Sequence, residues 1–84
     1  MNMKEVLDER FGDLGITKYE LTRRILELRG KPGEPPEISK LQSAVAKALK
    51  EPGGRRYAAI AELVEAMGGE IVIRWKDYKE VKVP

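Results

Sequence analysis

Ser39-Lys40-Leu41-Gln42-Ser43-Ala44-Val45-Ala46-Lys47-Ala48-Leu49-Lys50-Glu51-Pro52-Gly53-Gly54-Arg55-Arg56 carries five basic residues and one acid, a net charge of +4. The rest of the chain is nearly balanced. Residues 1–38 hold seven bases against eight acids, and residues 57–84 hold four against five, so the whole-chain charge of +2 is concentrated in this one stretch. At about 100° per residue its first part is a two-faced helix, opened by Ser39 and ended by Pro52-Gly53-Gly54. Leu41, Ala44, Val45, Ala48 and Leu49 share one side, and Ser39, Lys40, Gln42, Ser43, Ala46, Lys47 and Lys50 share the other. Ser39 with Gln42 fits a capping box, in which the cap hydroxyl and the third residue's side chain satisfy each other's backbone amides. A short basic helix face without acids suits a polyanion as partner, and it also suits an ordinary solvated surface.

Upstream, Asn2 is placed to cap a first helix over about 3–13, with Met3, Leu7, Phe11 and Leu14 on one side and Gly12 and Gly15 closing it. Thr17 with Glu20 forms another capping box at the head of a second helix, whose Leu21, Ile25 and Leu28 line one face with Leu26 beside them; Gly30 is its stop. Residues 30–37, with three prolines and two glycines, read as an exposed loop without regular structure. Downstream, Arg55 and Arg56 lead into a fourth helix over about 56–67, with Tyr57, Ile60, Val64 and Met67 as its buried stripe, Ala61 and Leu63 at the margins and Gly68-Gly69 as its stop. The period then changes to two. Ile71, Ile73 and Trp75 alternate with Val72, Arg74 and Lys76, and Val81-Lys82-Val83 alternates again, which predicts a β-hairpin turning near Asp77. The expected fold is mainly α, four helices in residues 1–69 followed by a C-terminal β-hairpin in residues 70–84.

Composition removes several classes of function. Eighty-four residues make one small domain with a modest core. Cys and His are both absent, so there is no disulfide, no thiolate metal site and no histidine base. The hydroxyls of Thr17, Thr22, Ser39 and Ser43 therefore lack their usual activator. Carboxylate pairs such as Glu5 with Glu9 and Glu62 with Glu65 have the spacing of solvated helix faces. Gly53-Gly54 and Gly68-Gly69 follow helices and not strands, so they are stops, not phosphate cradles. No catalytic residue, metal or cofactor is expected. No apolar run approaches the roughly 20 residues of a membrane span, and Met1–Glu5 lacks the apolar stretch of a signal peptide. A cytoplasmic protein is expected.

Binding chemistry is better supplied. Gln42 can be bidentate to adenine, and Lys40 or Lys47 can reach guanine. Ser39 and Ser43 can donate to phosphates or base edges, and Lys50, Arg55 and Arg56 add charge. Ile71, Ile73, Trp75, Val81 and Val83 are more apolar surface than an isolated hairpin can hide, so the hairpin is expected to be the dimerisation element, pairing with a second copy, with folding back on the fourth helix of its own chain as the alternative.

Gly15-Ile16-Thr17-Lys18-Tyr19-Glu20-Leu21-Thr22-Arg23-Arg24-Ile25 resembles the first helix-turn-helix segment of lambda-repressor-like (Xre/Cro-type) DNA-binding domains. Leu49 to Gly54, with Ile60, Leu63, Val64, Ala66, Met67 and Gly68, is similar to that family's loop and following helix. The resemblance covers roughly residues 15–69. It implies double-stranded DNA as partner and a homodimer that regulates transcription. It implies that Ser39, Lys40, Gln42, Ser43 and Lys47 face bases and phosphates from the major groove. It also implies that Thr17, Lys18 and Tyr19 touch the backbone and that Thr22 packs helix against helix. The expected connection between the two helices, Gly30–Ile38, is longer than the family's three or four residues. Some antitoxins of this family end in a similar Gly-then-strand segment, so a protein partner, a toxin or another regulator, is the alternative. An RNA-binding or interaction module is the remaining reading.

Overall fold

The computed structural model describes residues 2–31, 35–77 and 79–84. Its helices begin and end where local chemistry satisfies the backbone. Helix α1, Met3–Leu14, starts at Asn2, whose side chain accepts from the Glu5 amide at 2.9 Å. It stops at Gly15 in the left-handed conformation; Gly12 lies inside it. Helix α2, Lys18–Leu28, starts at Thr17, whose hydroxyl accepts from the Glu20 amide at 3.1 Å. Only that half of the expected box forms. The Glu20 carboxylate turns to Arg23 at 2.8 Å and Arg24 at 3.4 Å, because two guanidiniums one turn ahead outcompete a single amide. Helix α2 ends in a Schellman motif: Gly30 N–H donates to Glu27 C=O at 2.9 Å and Lys31 N–H to Leu26 C=O at 3.0 Å.

Helix α3 runs from Pro35 to Lys50, four residues longer at its start than the expected Ser39 boundary. Pro35 and Pro36 are helical and not loop. A proline's fixed φ suits a first turn, where its missing N–H would have no partner anyway. Two expectations are corrected by this. Ser39 is the fifth residue of the helix, so Ser39 and Gln42 form no capping box. Residues 35–38 belong to α3, so the connection from α2 does not extend to Ile38. Pro32, Gly33 and Glu34 of the expected loop lie outside the described residues, as do Met1 and Tyr78. A 3₁₀ turn, Pro52–Gly54, follows α3. Helix α4, Tyr57–Ala66, ends in a second Schellman motif through Gly68 and Gly69. Arg10 of α1 donates to the Met67 carbonyl at 2.9 Å and covers that helix end.

The core gathers Leu7 from α1, Leu21 and Ile25 from α2, Val45, Ala48 and Leu49 from α3, and Ile60, Leu63, Ala66 and Met67 around α4. Thr22 is completely buried, as a small residue between helices should be, and its hydroxyl donates to the Lys18 carbonyl at 2.7 Å. Four expected core positions are exposed, among them Ala44 at the edge of the apolar side of α3. Met3 and Leu28 lie at helix ends, beyond the reach of the packed layers. Tyr57 is exposed because α4 presents Leu63 and Ala66 to the helical core, which turns Tyr57 and Val64 toward the hairpin.

Strands β1, Ile71–Arg74, and β2, Glu80–Val83, pair antiparallel with Ile71 opposite Val83 and Ile73 opposite Val81. The Trp75 amide donates to the Lys79 carbonyl at 2.8 Å, and Asp77 sits in the turn as expected. Among the described residues, it is the hairpin's base that meets the helices. Ile71 packs on the core, and the Tyr57 hydroxyl donates to the Pro84 carbonyl at 2.8 Å. The arm projects, which gives principal extents of 47 × 24 × 23 Å and a radius of gyration of 13.5 Å, against about 12 Å for a round domain of this length.

Candidate nucleic-acid interface

The amphipathic partition of α3 decides what it presents to solvent. Val45, Ala48 and Leu49 are buried and Leu41 is half-buried, while Ser39, Lys40, Ser43, Lys47 and Lys50 are exposed. Ser39, Ser43, Ala46 and Lys50, at spacings of four, three and four, form one stripe with Lys47 beside it. From Lys40 to Lys50 the polar face spans about 15 Å. Gln42 is half-buried at the edge of this face. The face is less purely basic at its start than expected, since the longer helix brings Glu37 within 3.8 Å of Lys40.

Ion pairing separates the cations into two groups. Lys4, Arg23, Arg24, Arg29, Lys40, Arg74 and Lys82 each have a carboxylate partner. Among the described residues, Arg10, Lys18, Lys31, Lys47, Lys50, Arg55, Arg56, Lys76 and Lys79 have none. Four of those nine come together. Lys18, Lys47 and Lys50 line one crevice of about 340 Å³, and Lys47, Lys50 and Arg55 line an adjoining one of about 340 Å³. Helix α2 contributes its first residue, α3 its last turn, and the segment after the 3₁₀ turn its arginine.

The other expected contacts fall around this cluster. Arg56 is the exposed N-cap of α4, next in sequence to Arg55 but lining neither crevice. The Thr17 hydroxyl is committed to capping, and Tyr19 is exposed one residue beyond Lys18. Ser39, Lys40, Gln42 and Ser43 lie farther up α3, outside both crevices. One residue was missed: Lys4, from α1, lines the first crevice opposite Lys18 and Lys47. Its segment is charge-balanced, and only the packing of α1 beside α2 and α3 selects it. Among the described residues no group of three or more His, Cys, Asp or Glu is placed to hold a metal ion, and no helix is long and apolar enough to cross a membrane.

The five residues expected to dimerise divide into two sets. Ile71 and Val83 are half-buried at the hairpin's base, while Ile73, Val81 and Trp75 are exposed by 47%, 48% and 57%. By strand alternation all five belong to one face, and Val72, Arg74, Glu80 and Lys82 to the other.

Comparison with protein-family models, with curated proteins and with solved structures finds no match for this chain.

Proposed function

We propose that this chain is a sequence-specific double-stranded DNA-binding regulator that acts as a homodimer and reads the major groove with the solvent face of α3. One observation carries the reading: four cations without carboxylate partners among the described residues, Lys18, Lys47, Lys50 and Arg55, line two adjoining crevices where α2 begins and α3 ends, with Asp8 and Glu51 as the acids there. A phosphate backbone would meet them without first breaking ion pairs. Ser39, Lys40, Gln42 and Ser43, farther along the same helix, supply the donors and acceptors that base edges require. The resemblance to lambda-repressor-like domains points the same way and rests on the residues quoted for it.

A second reading is favoured by a different observation. The exposed apolar face of Ile73, Trp75 and Val81 would equally serve an antitoxin-type or adaptor protein whose main partner is another protein. Duplex binding as a function of salt separates the two. A DNA regulator contacting four to five phosphates loses affinity with a log–log slope of roughly −4 per protomer. A protein whose main partner is another protein shows little duplex affinity and co-purifies with that partner.

A further inference from the structure

The crevice between α1, α2 and α3 also holds Lys4 and Asp8 of α1, which the DNA reading does not use. Lys4, Lys18, Lys47 and Lys50 enter it from three helices, over a wall that includes Phe11 and the buried Leu49. Asp8 is the single acid lining it, and Asp8 forms an ion pair with Lys4. Four cations against one anion leave the crevice at about +3, and the apolar wall weakens solvent screening on one side. The crevice is open to solvent, which suits one group of a long polyanion passing over it.

We propose that this crevice is a phosphate site, occupied in the complex by one phosphate of the duplex backbone, and that Asp8 opposes its filling. The proposal rests on the DNA reading for the source of the phosphate, but the site itself follows from the three-helix placement. Lys18, Lys47 and Lys50 are free to bind the incoming phosphate. Lys4 must exchange Asp8 for it, and the Asp8 carboxylate repels it. Removing that carboxylate frees Lys4 and removes the repulsion together. Asp8→Asn therefore tightens phosphate binding, by about two- to fivefold for an exposed site. Lys4→Ala loosens it by a similar factor and lowers the duplex salt slope by about one. Lys4 and Asp8 are both half-exposed on α1, so neither change threatens the core.

Two titrations test this. Inorganic phosphate is added to the full chain at low ionic strength while backbone amide NMR shifts are followed. The expected shifts saturate and concentrate at residues 4–8, 18 and 47–50, at lower phosphate concentration in Asp8→Asn. Shifts spread over all exposed lysines, or an Asp8→Asn midpoint equal to the parent's, overturn the site. In parallel, duplex affinity is measured against salt for the parent, Lys4→Ala and Asp8→Asn. If the parent binds duplex and neither variant changes affinity or slope, the backbone does not use the crevice and the proposal fails. If inorganic phosphate binds at the crevice while the parent has no duplex affinity, the DNA reading fails and the phosphate site stands. Circular dichroism of both variants confirms that the helices are kept.

Discussion

Replacing Trp75 with Ser separates association through the hairpin from folding. Trp75 is 57% exposed at the projecting end of β1, whereas the hairpin's base, through Ile71 and the Tyr57–Pro84 hydrogen bond, meets the helices. The substitution therefore leaves the helices intact. Its exposed part amounts to roughly 140 Å² of a side chain that buries 150–250 Å² when covered. At about 25 cal/mol per Å², complete cover would contribute ~3.5 kcal/mol per copy. Partial cover and the ordering of side chains reduce this to about 1.5 kcal/mol per copy, or ~3 kcal/mol per symmetric pair, roughly a hundredfold in Kd. Ile73, Val81 and Trp75 together offer on the order of 300 Å² per copy, about 600 Å² per pair, which is below the roughly 1,200 Å² of a stable standard interface. The dimer is thus expected to be weak, with a Kd in the tens of micromolar, unless strand-edge pairing or DNA adds to it. Sedimentation equilibrium from 5 to 500 µM (concentrations chosen on the order of that expected Kd) should show concentration-dependent mass for the parent across the range and, at a roughly hundredfold weaker Kd, near-monomer mass for Trp75→Ser except for slight association at the top of the range. A parent that stays monomeric to the top of that range, or a variant whose mass curve superimposes on the parent's, refutes the argument.

Three further outcomes are expected. Arg55→Ala with Arg56→Ala should weaken all duplexes about equally and flatten the salt slope by about two; an unchanged slope places both arginines off the interface. Arg29 donates to Glu62 at 2.6 and 2.8 Å and holds its carboxyl below the ordinary 4.5, with burial opposing. A depressed carboxyl stabilises the fold above its unfolded value and loses that contribution as pH falls through the folded value. The melting temperature should therefore fall more steeply below pH 4.5 in the parent than in Glu62→Gln, by an amount equivalent to ~0.5 kcal/mol given solvent screening of this pair; parallel curves exclude the coupling. Leu63→Ala removes a side chain 1% exposed at the α4 face of the core and should cost about 2–5 kcal/mol in chemical denaturation, whereas a loss below ~1 kcal/mol would place Leu63 outside the tightly packed core.

Much of this architecture was legible because it is set locally. Asn2 and Thr17 cap α1 and α2, and Gly15, Gly30 and Gly68 adopt the positive φ that stops a helix. The two-residue alternation from Ile71 to Val83 fixes both the hairpin and its apolar face. The errors arise where local signals are ambiguous or tertiary. Pro35-Pro36 reads as loop, yet proline is favoured in a helix's first turn, so α3 gained a turn and Ser39 lost its cap. Of the expected α4 stripe, Ile60 and Met67 are buried and Val64 packs against the core, whereas Tyr57 is exposed and Leu63, placed at the margin, is buried, because both faces of α4 are apolar and only the position of α2 chooses between them. Lys4 could not be found from window charge, since its role depends on α1 lying beside the end of α3. The Lys47, Lys50 and Arg55 part of the basic cluster, by contrast, follows from the five bases set against the single Glu51 between Ser39 and Arg56, which is read directly from the sequence.

The most direct test of the DNA reading is selection of bound sequences from random duplexes by the full chain at about 150 mM salt, with the salt slope and stoichiometry measured on the enriched site. A dimeric DNA regulator should enrich a palindromic site bound by two copies, with half-sites about one helical turn apart, roughly 34 Å, and a slope near −4 per protomer. No enrichment together with a slope near zero would contradict the DNA reading.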